Sequence, residues 1–78
     1  MDVDAKLTNI FRNVFGDETI VLHDQLRSSS RNDWDSIANL NLMFAVEEEF
    51  GITFGSSEFS SLDNVGELKG SIKEKMRM

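Results

Sequence analysis

Apolar residues fall on a helical beat in three stretches of the chain and keep no regular beat between them. Val3, Leu7, Ile10, Phe11, Val14 and Phe15 recur at spacings of three and four, with Asp4, Lys6, Asn9, Arg12 and Asn13 on the opposite face. That predicts an amphipathic helix over residues 3–15, with Asp2 or Asp4 at its positive end and Gly16 as its stop. The second stretch, residues 36–50, is the most apolar. Met43, Val46 and Phe50, flanked by Asn39 and Leu42, are expected to face the core. Ile37, Asn41, Phe44 and Glu48, spaced by four, three and four, line the other side. This second stripe reads either as a surface for a partner or as a face covered by another helix of the same chain; periodicity does not choose. Gly51 closes the helix, because Gly takes the left-handed terminal conformation cheaply.

In the third stretch Val65, Leu68, Ile72 and Met76 predict a helix over residues 64–77, opened by Asn64 and Glu67 at the spacing of a capping box. Gly66 and Gly70 weaken it by roughly 1 kcal/mol each relative to Ala. Lys69, Lys73, Lys75 and Arg77 suit its negative end. Between the first two helices run about twenty residues, far above the usual median of about 4–6 for a connection, and loops that long tend to be functional or disordered. Ile20-Val21-Leu22 could pass for a strand but has no β partner. It is read instead as a pin holding the loop to the core, together with Leu26. After Gly51, Ile52-Thr53-Phe54 is irregular, and Ser56-Ser57-Glu58-Phe59 allows one short turn over about 56–60. The expectation is an all-α fold: a small antiparallel bundle of three main helices plus one short helix, with a long loop between the first and second, forming one domain over residues 1–78.

Composition narrows the function. Eight Lys and Arg against fourteen Asp and Glu leave a net charge of −6. That balance repels nucleic acid and anionic membrane and favours partners with basic surfaces. With no Cys there is neither a disulfide nor a thiolate metal site, so packing alone holds the fold. Met1-Asp2-Val3-Asp4 lacks the features of a signal peptide, and the longest apolar run, Leu42 to Val46, is far short of a membrane span. A cytoplasmic monomer is expected, without membrane insertion or nucleic-acid binding.

Catalysis and metal binding find little support. His23, Ser36 and a nearby Asp could be drawn as a triad. That chemistry needs a strained nucleophile turn and an oxyanion hole, and so small a chain has little room for a substrate cleft. Asn32-Asp33-Trp34-Asp35-Ser36 alternates oxygen ligands but lacks the Gly and distal Glu of a calcium loop. Glu47-Glu48-Glu49 points its carboxylates in different directions around a helix, as a solvated face does. What remains is Ser36 itself, a hydroxyl at the head of the central helix, beside Asp35.

Here the residues carry a resemblance. Asp35-Ser36-Ile37, followed by an apolar helix ending Ala45-Val46-Glu47-Glu48-Glu49-Phe50-Gly51-Ile52, is similar to the phosphopantetheine site and second helix of acyl carrier proteins. Length, acidity, the long first loop and the Asn64-Val65-Gly66-Glu67-Leu68 start of the last helix agree, so the likeness covers nearly the whole chain. It implies a carrier and not an enzyme. A phosphopantetheinyl transferase would move a 4'-phosphopantetheine arm from coenzyme A onto Ser36, and the arm's thiol would hold an acyl group as a thioester. A serine at a helix N-terminus suits a phosphodiester, which sits beside free N–H groups and the positive end of the dipole. Asp35 would help the transferase engage, besides serving as an N-cap. Ile37 and Phe44 match apolar docking contacts, with Asn41 between them, and Glu47 and Glu48 match acids presented to basic patches on partner enzymes. The resemblance therefore favours the docking reading of that stripe.

The chain also departs from the pattern. Ala38 and Asn41 stand where carriers of fatty acid synthesis usually have acids. Trp34 replaces a small residue, as a partner contact or as packing for the loop. Arg27 and Arg31 put positive charge in a commonly acidic loop. Charge complementarity sets on-rate and specificity more than affinity, so these changes suggest a dedicated polyketide, peptide, lipid or glycan-modifying pathway, with its own loading ligase or acyltransferase. The alternative is a non-carrier acidic helical module that binds a partner through Ile37 and Phe44, with Ser36 a mere cap.

Overall fold

A computed structural model describes residues 2–55 and 57–77. Its helices are α1 (Val3–Phe15), α2 (Ser36–Phe50) and α3 (Val65–Met76), with short 3-10 turns at Ser28–Ser30 and Phe59–Ser61. The fold is all-helical, with no strand among the described residues. The first two helices have the bounds their periodicity predicts. The third is one residue shorter at each end than expected, because Asn64 stays extended to cap it and Arg77 closes it. The turn expected over about 56–60 sits later, at Phe59–Ser61; Ser56 lies outside the described residues.

Local chemistry sets the helix ends. The Asp2 carboxylate accepts from the Ala5 N–H at 3.1 Å and starts α1. Gly16 and Gly51 end α1 and α2 at φ of 61° and 64°, a region that penalises a side chain. At the head of α3 the Asn64 side chain accepts from the Glu67 N–H at 2.9 Å. The return bond of the expected capping box lands one residue early: the Glu67 carboxylate accepts from the Asp63 N–H at 3.2 Å.

The core is made of one face of each helix. Leu7 and Phe11 of α1, Leu42 and Val46 of α2, and Val65 and Ile72 of α3 are fully buried, and no polar side chain is buried among the described residues. Leu42, not Met43, is the deep residue of α2. The buried set is Leu42, Val46 and Phe50, and one residue's step of about 100° turns Met43 to the half-buried margin. Lys6 of α1 pairs with Glu49 of α2 at 2.9 Å, and Lys69 of α3 with Asp4 at 3.1 Å.

The long crossover is fastened along its length. Ile20 and Leu26 are buried as pins, whereas Val21 between them points to solvent. Arg12 Nε donates to the Ile20 carbonyl at 3.0 Å. Further on, the carbonyls of Leu26 and Asp24 accept from the N–H groups of Val65 and Gly66 at 2.9 and 3.0 Å. Those are orphan donors of the first turn of α3, so the loop backbone completes that helix. It also gives Gly66 a role: a Cβ there would stand 3.0 Å from Asp24 Cβ, so a side chain would fit only if the loop gave way by a few tenths of an ångström.

Candidate functional site

The head of α2 is built by Asp35 and leaves Ser36 free. Asp35 is extended (φ −93°, ψ −172°), and its carboxylate accepts from the Ala38 N–H at 2.8 Å. Its carbonyl accepts from the Asn39 N–H at 2.9 Å. The cap is thus Asp35, and Ser36 is the first helical residue, exposed, with no capping duty of its own. The N–H groups of Ser36 and Ile37 find no acceptor among the described residues. An outward hydroxyl beside two open donors at the positive end of a fifteen-residue helix fits a phosphodiester.

The segment leading to Ser36 is held against α1. Trp34 is half-buried, edge-on to Phe11 with centroids 5.3 Å apart and 5.8 Å from Phe15. Its indole N–H donates to Asn39 Oδ1 at 3.1 Å. Arg31 lies over the Phe15 ring at 5.0 Å and donates to both oxygens of Asp33, at 2.8 and 3.0 Å. A longer contact of 3.4 Å reaches Asp17. These bonds hold the Asp33 carboxyl below its ordinary range. Asp17 is held low first by the hydroxyl and N–H of Thr19 and then by Arg31. The positive charge that Arg31 brings to the loop is therefore met within it, by Asp33 and Asp17. Arg27 is exposed.

A cleft of about 240 Å³ opens beside Ser36, between the first turns of α2 and α3. Trp34 and Asn39 line one side of it, and Phe59, Leu62 and Leu68 line the other. On the outer face of α2, Ile37 and Phe44 are 69% and 57% exposed, and Leu40 between them is 50% exposed. No helix of the described residues covers this stripe. Periodicity had named Ile37 and Phe44 and passed over Leu40, although it stands three residues from one and four from the other, on the same face. Asn41 and Glu48 are exposed alongside. Glu47 is half-buried, and its carboxylate accepts from the Phe54 N–H at 2.8 Å, so one of its oxygens serves the fold. His23 is exposed on the crossover and does not line the cleft. Among the described residues no cluster of three or more His, Cys, Asp or Glu could hold a metal.

The solution structure of a holo acyl carrier protein from Geobacter metallireducens matches this architecture with a TM-score of 0.89. The two are 35% identical, over 99% of this chain and 88% of that one. This chain belongs to the acyl carrier protein family. No protein-family model and no curated protein matches it at the level of sequence. Acyl carrier proteins are carriers and not enzymes. The carrier has no helix among the described residues long and apolar enough to cross a membrane.

Proposed function

We propose that Ser36 is the attachment point of a 4'-phosphopantetheine arm, and that the protein carries an acyl or related group on it as a thioester. The observation that carries this reading is the exposed Ser36 hydroxyl as first residue of α2, beside two unpartnered N–H groups. The match to a carrier solved in its holo form supports it. The chain has no Cys, so the thiol comes with the arm. Residues 1–78 act as one carrier domain in the cytoplasm, as a monomer.

Partners are a phosphopantetheinyl transferase, a loading ligase or acyltransferase, and downstream enzymes with basic docking patches. They engage Asp35, Ile37, Asn41, Phe44 and Glu48, with Leu40 at the centre and the free oxygen of Glu47 at the rim. α2 bears no Lys or Arg, and its acids gather at the far end, since Ala38 and Asn41 bring no charge near Ser36. That distribution favours partners that grip the head of α2 by apolar contact, and so a dedicated biosynthetic pathway over general fatty acid synthesis.

Intact-mass measurement after incubation with coenzyme A and a promiscuous transferase tests the reading. One added phosphopantetheine is expected on the wild type and none on Ser36→Ala, which should melt as the wild type does. No mass gain on the folded wild type would overturn it in favour of a non-carrier interaction module.

A further inference from the structure

Counted from the cap Asp35, Trp34 is the residue before the cap and Asn39 the fourth residue of the helix. In many helices these two positions hold apolar side chains that pack together and fix the angle at which the chain enters the helix. Here the same two positions are joined by a hydrogen bond, from Trp34 Nε1 to Asn39 Oδ1 at 3.1 Å, which spans the backbone that carries Ser36. One end of the span is anchored on α1 through the rings of Phe11 and Phe15. The other end belongs to α2. The span thus ties Ser36 to two helices at once, while Ser36 itself makes no contribution to holding the junction.

We propose that Trp34 and Asn39 are positioning residues for the modification of Ser36. They act through the junction that carries Ser36 and bear no group that takes part in the transfer. Their bond holds the loop–helix junction in one arrangement, so the hydroxyl meets the transferase already oriented, and the apolar stripe of Ile37, Leu40 and Phe44 is left to docking. Orientation of this kind acts within the bound complex, where misplacement of a reacting atom lowers turnover rather than affinity. The proposal rests on Ser36 being the attachment point.

The test is steady-state kinetics of arm transfer from coenzyme A, with the apo carrier as the varied substrate, well below the melting temperature of each variant. Trp34→Phe keeps a ring against Phe11 and Phe15 but loses the donor. Asn39→Leu loses the acceptor and restores an apolar pair; Asn39→Asp keeps a carboxylate acceptor. We expect Trp34→Phe and Asn39→Leu to lower kcat by about three- to tenfold, the range one hydrogen bond spans, with KM unchanged. Asn39→Asp should retain the wild-type kcat. Wild-type kcat in both donor- and acceptor-deleted proteins would overturn the proposal. A rise in KM alone would overturn it too, because Trp34 would then be a contact for the transferase. Failure of the wild type to gain mass would remove the carrier reading as well, so the two failures are told apart.

Discussion

Leu40 and Leu42 stand two residues apart on α2 and should fail in opposite ways when cut back to Ala. Leu42 is fully buried in the hydrophobic core. Its truncation removes transfer free energy and leaves a cavity that the surroundings fill only in part, a loss of about 3–5 kcal/mol. In a domain of this size each kcal/mol moves the melting temperature by about 4–8 °C, so Leu42→Ala should melt at least about 12 °C lower. Leu40 is half-exposed, so its truncation gives up about half the burial of a leucine side chain and gains slightly in helix propensity. Its net cost should be below about 1 kcal/mol. The penalty appears elsewhere. Leu40 is the middle of the exposed stripe, and a central apolar anchor is worth about 1–2 kcal/mol to a partner. The KM of apo carrier in arm transfer should therefore rise about tenfold in Leu40→Ala, with kcat held. Urea or thermal melts measure the first quantity and transfer kinetics the second. Equal destabilisation by the two variants, or an unchanged KM in Leu40→Ala, would refute this division of α2 into an inner and an outer face.

Three further outcomes are expected. Gly70 is helical with nothing within 4 Å of an added Cβ, so Gly70→Ala should stabilise the protein by about 1 kcal/mol in denaturant titrations. Gly51 has equal space but φ of +64°, so Gly51→Ala should destabilise by about 1 kcal/mol; like-signed changes would contradict the backbone argument. The Asp17 and Asp33 pKa values lie below their ordinary range in the folded state, so their contribution is present above the unfolded value near 4 and lost as pH falls through the folded values. The double variant Asp17→Asn, Asp33→Asn should lose less melting temperature than the wild type between pH 5 and pH 3, and parallel losses would count against it. Finally, at a net charge of −6, added monovalent salt should raise the melting temperature, because surface ion pairs such as Lys6–Glu49 are worth only about 0–1 kcal/mol and screening removes more repulsion than attraction. A melting temperature indifferent to salt would show that the balance is struck differently.

What could be read in the chain beforehand was whatever depends on neighbours within a helical turn. Val3 to Phe15 and Ser36 to Phe50 declare their periodicity and their stops, so α1 and α2 were legible to the residue. The place of Ser36 was legible because a cap, a helix and a terminal glycine are all local signals. The choice between Leu42 and Met43 was not, because a helix nearly apolar all round does not say which face meets its neighbours. Gly66 looked like a defect of α3 because the strand of loop that crowds it, at Asp24, lies forty-two residues earlier. Ile20 and Leu26 could be read as pins of the crossover, but the same distance in sequence hid its backbone bonds to Val65 and Gly66 and the cleft beside Ser36. Arg31 looked like a surface charge because its three partners, Asp33, Asp17 and the face of Phe15, meet only after the loop has folded back on α1.

The chain has one tryptophan and no tyrosine, and that tryptophan is Trp34. Packed against Phe11 and itself lining the cleft, two residues from the serine, its indole is the near-ultraviolet chromophore that governs both absorbance and emission. Loss of the fold, loosening of the serine's surroundings and arrival of a group in the cleft all alter the polarity around that single ring. The protein therefore carries its own optical gauge at the position where its work is done, and no dye or label need be added to watch it.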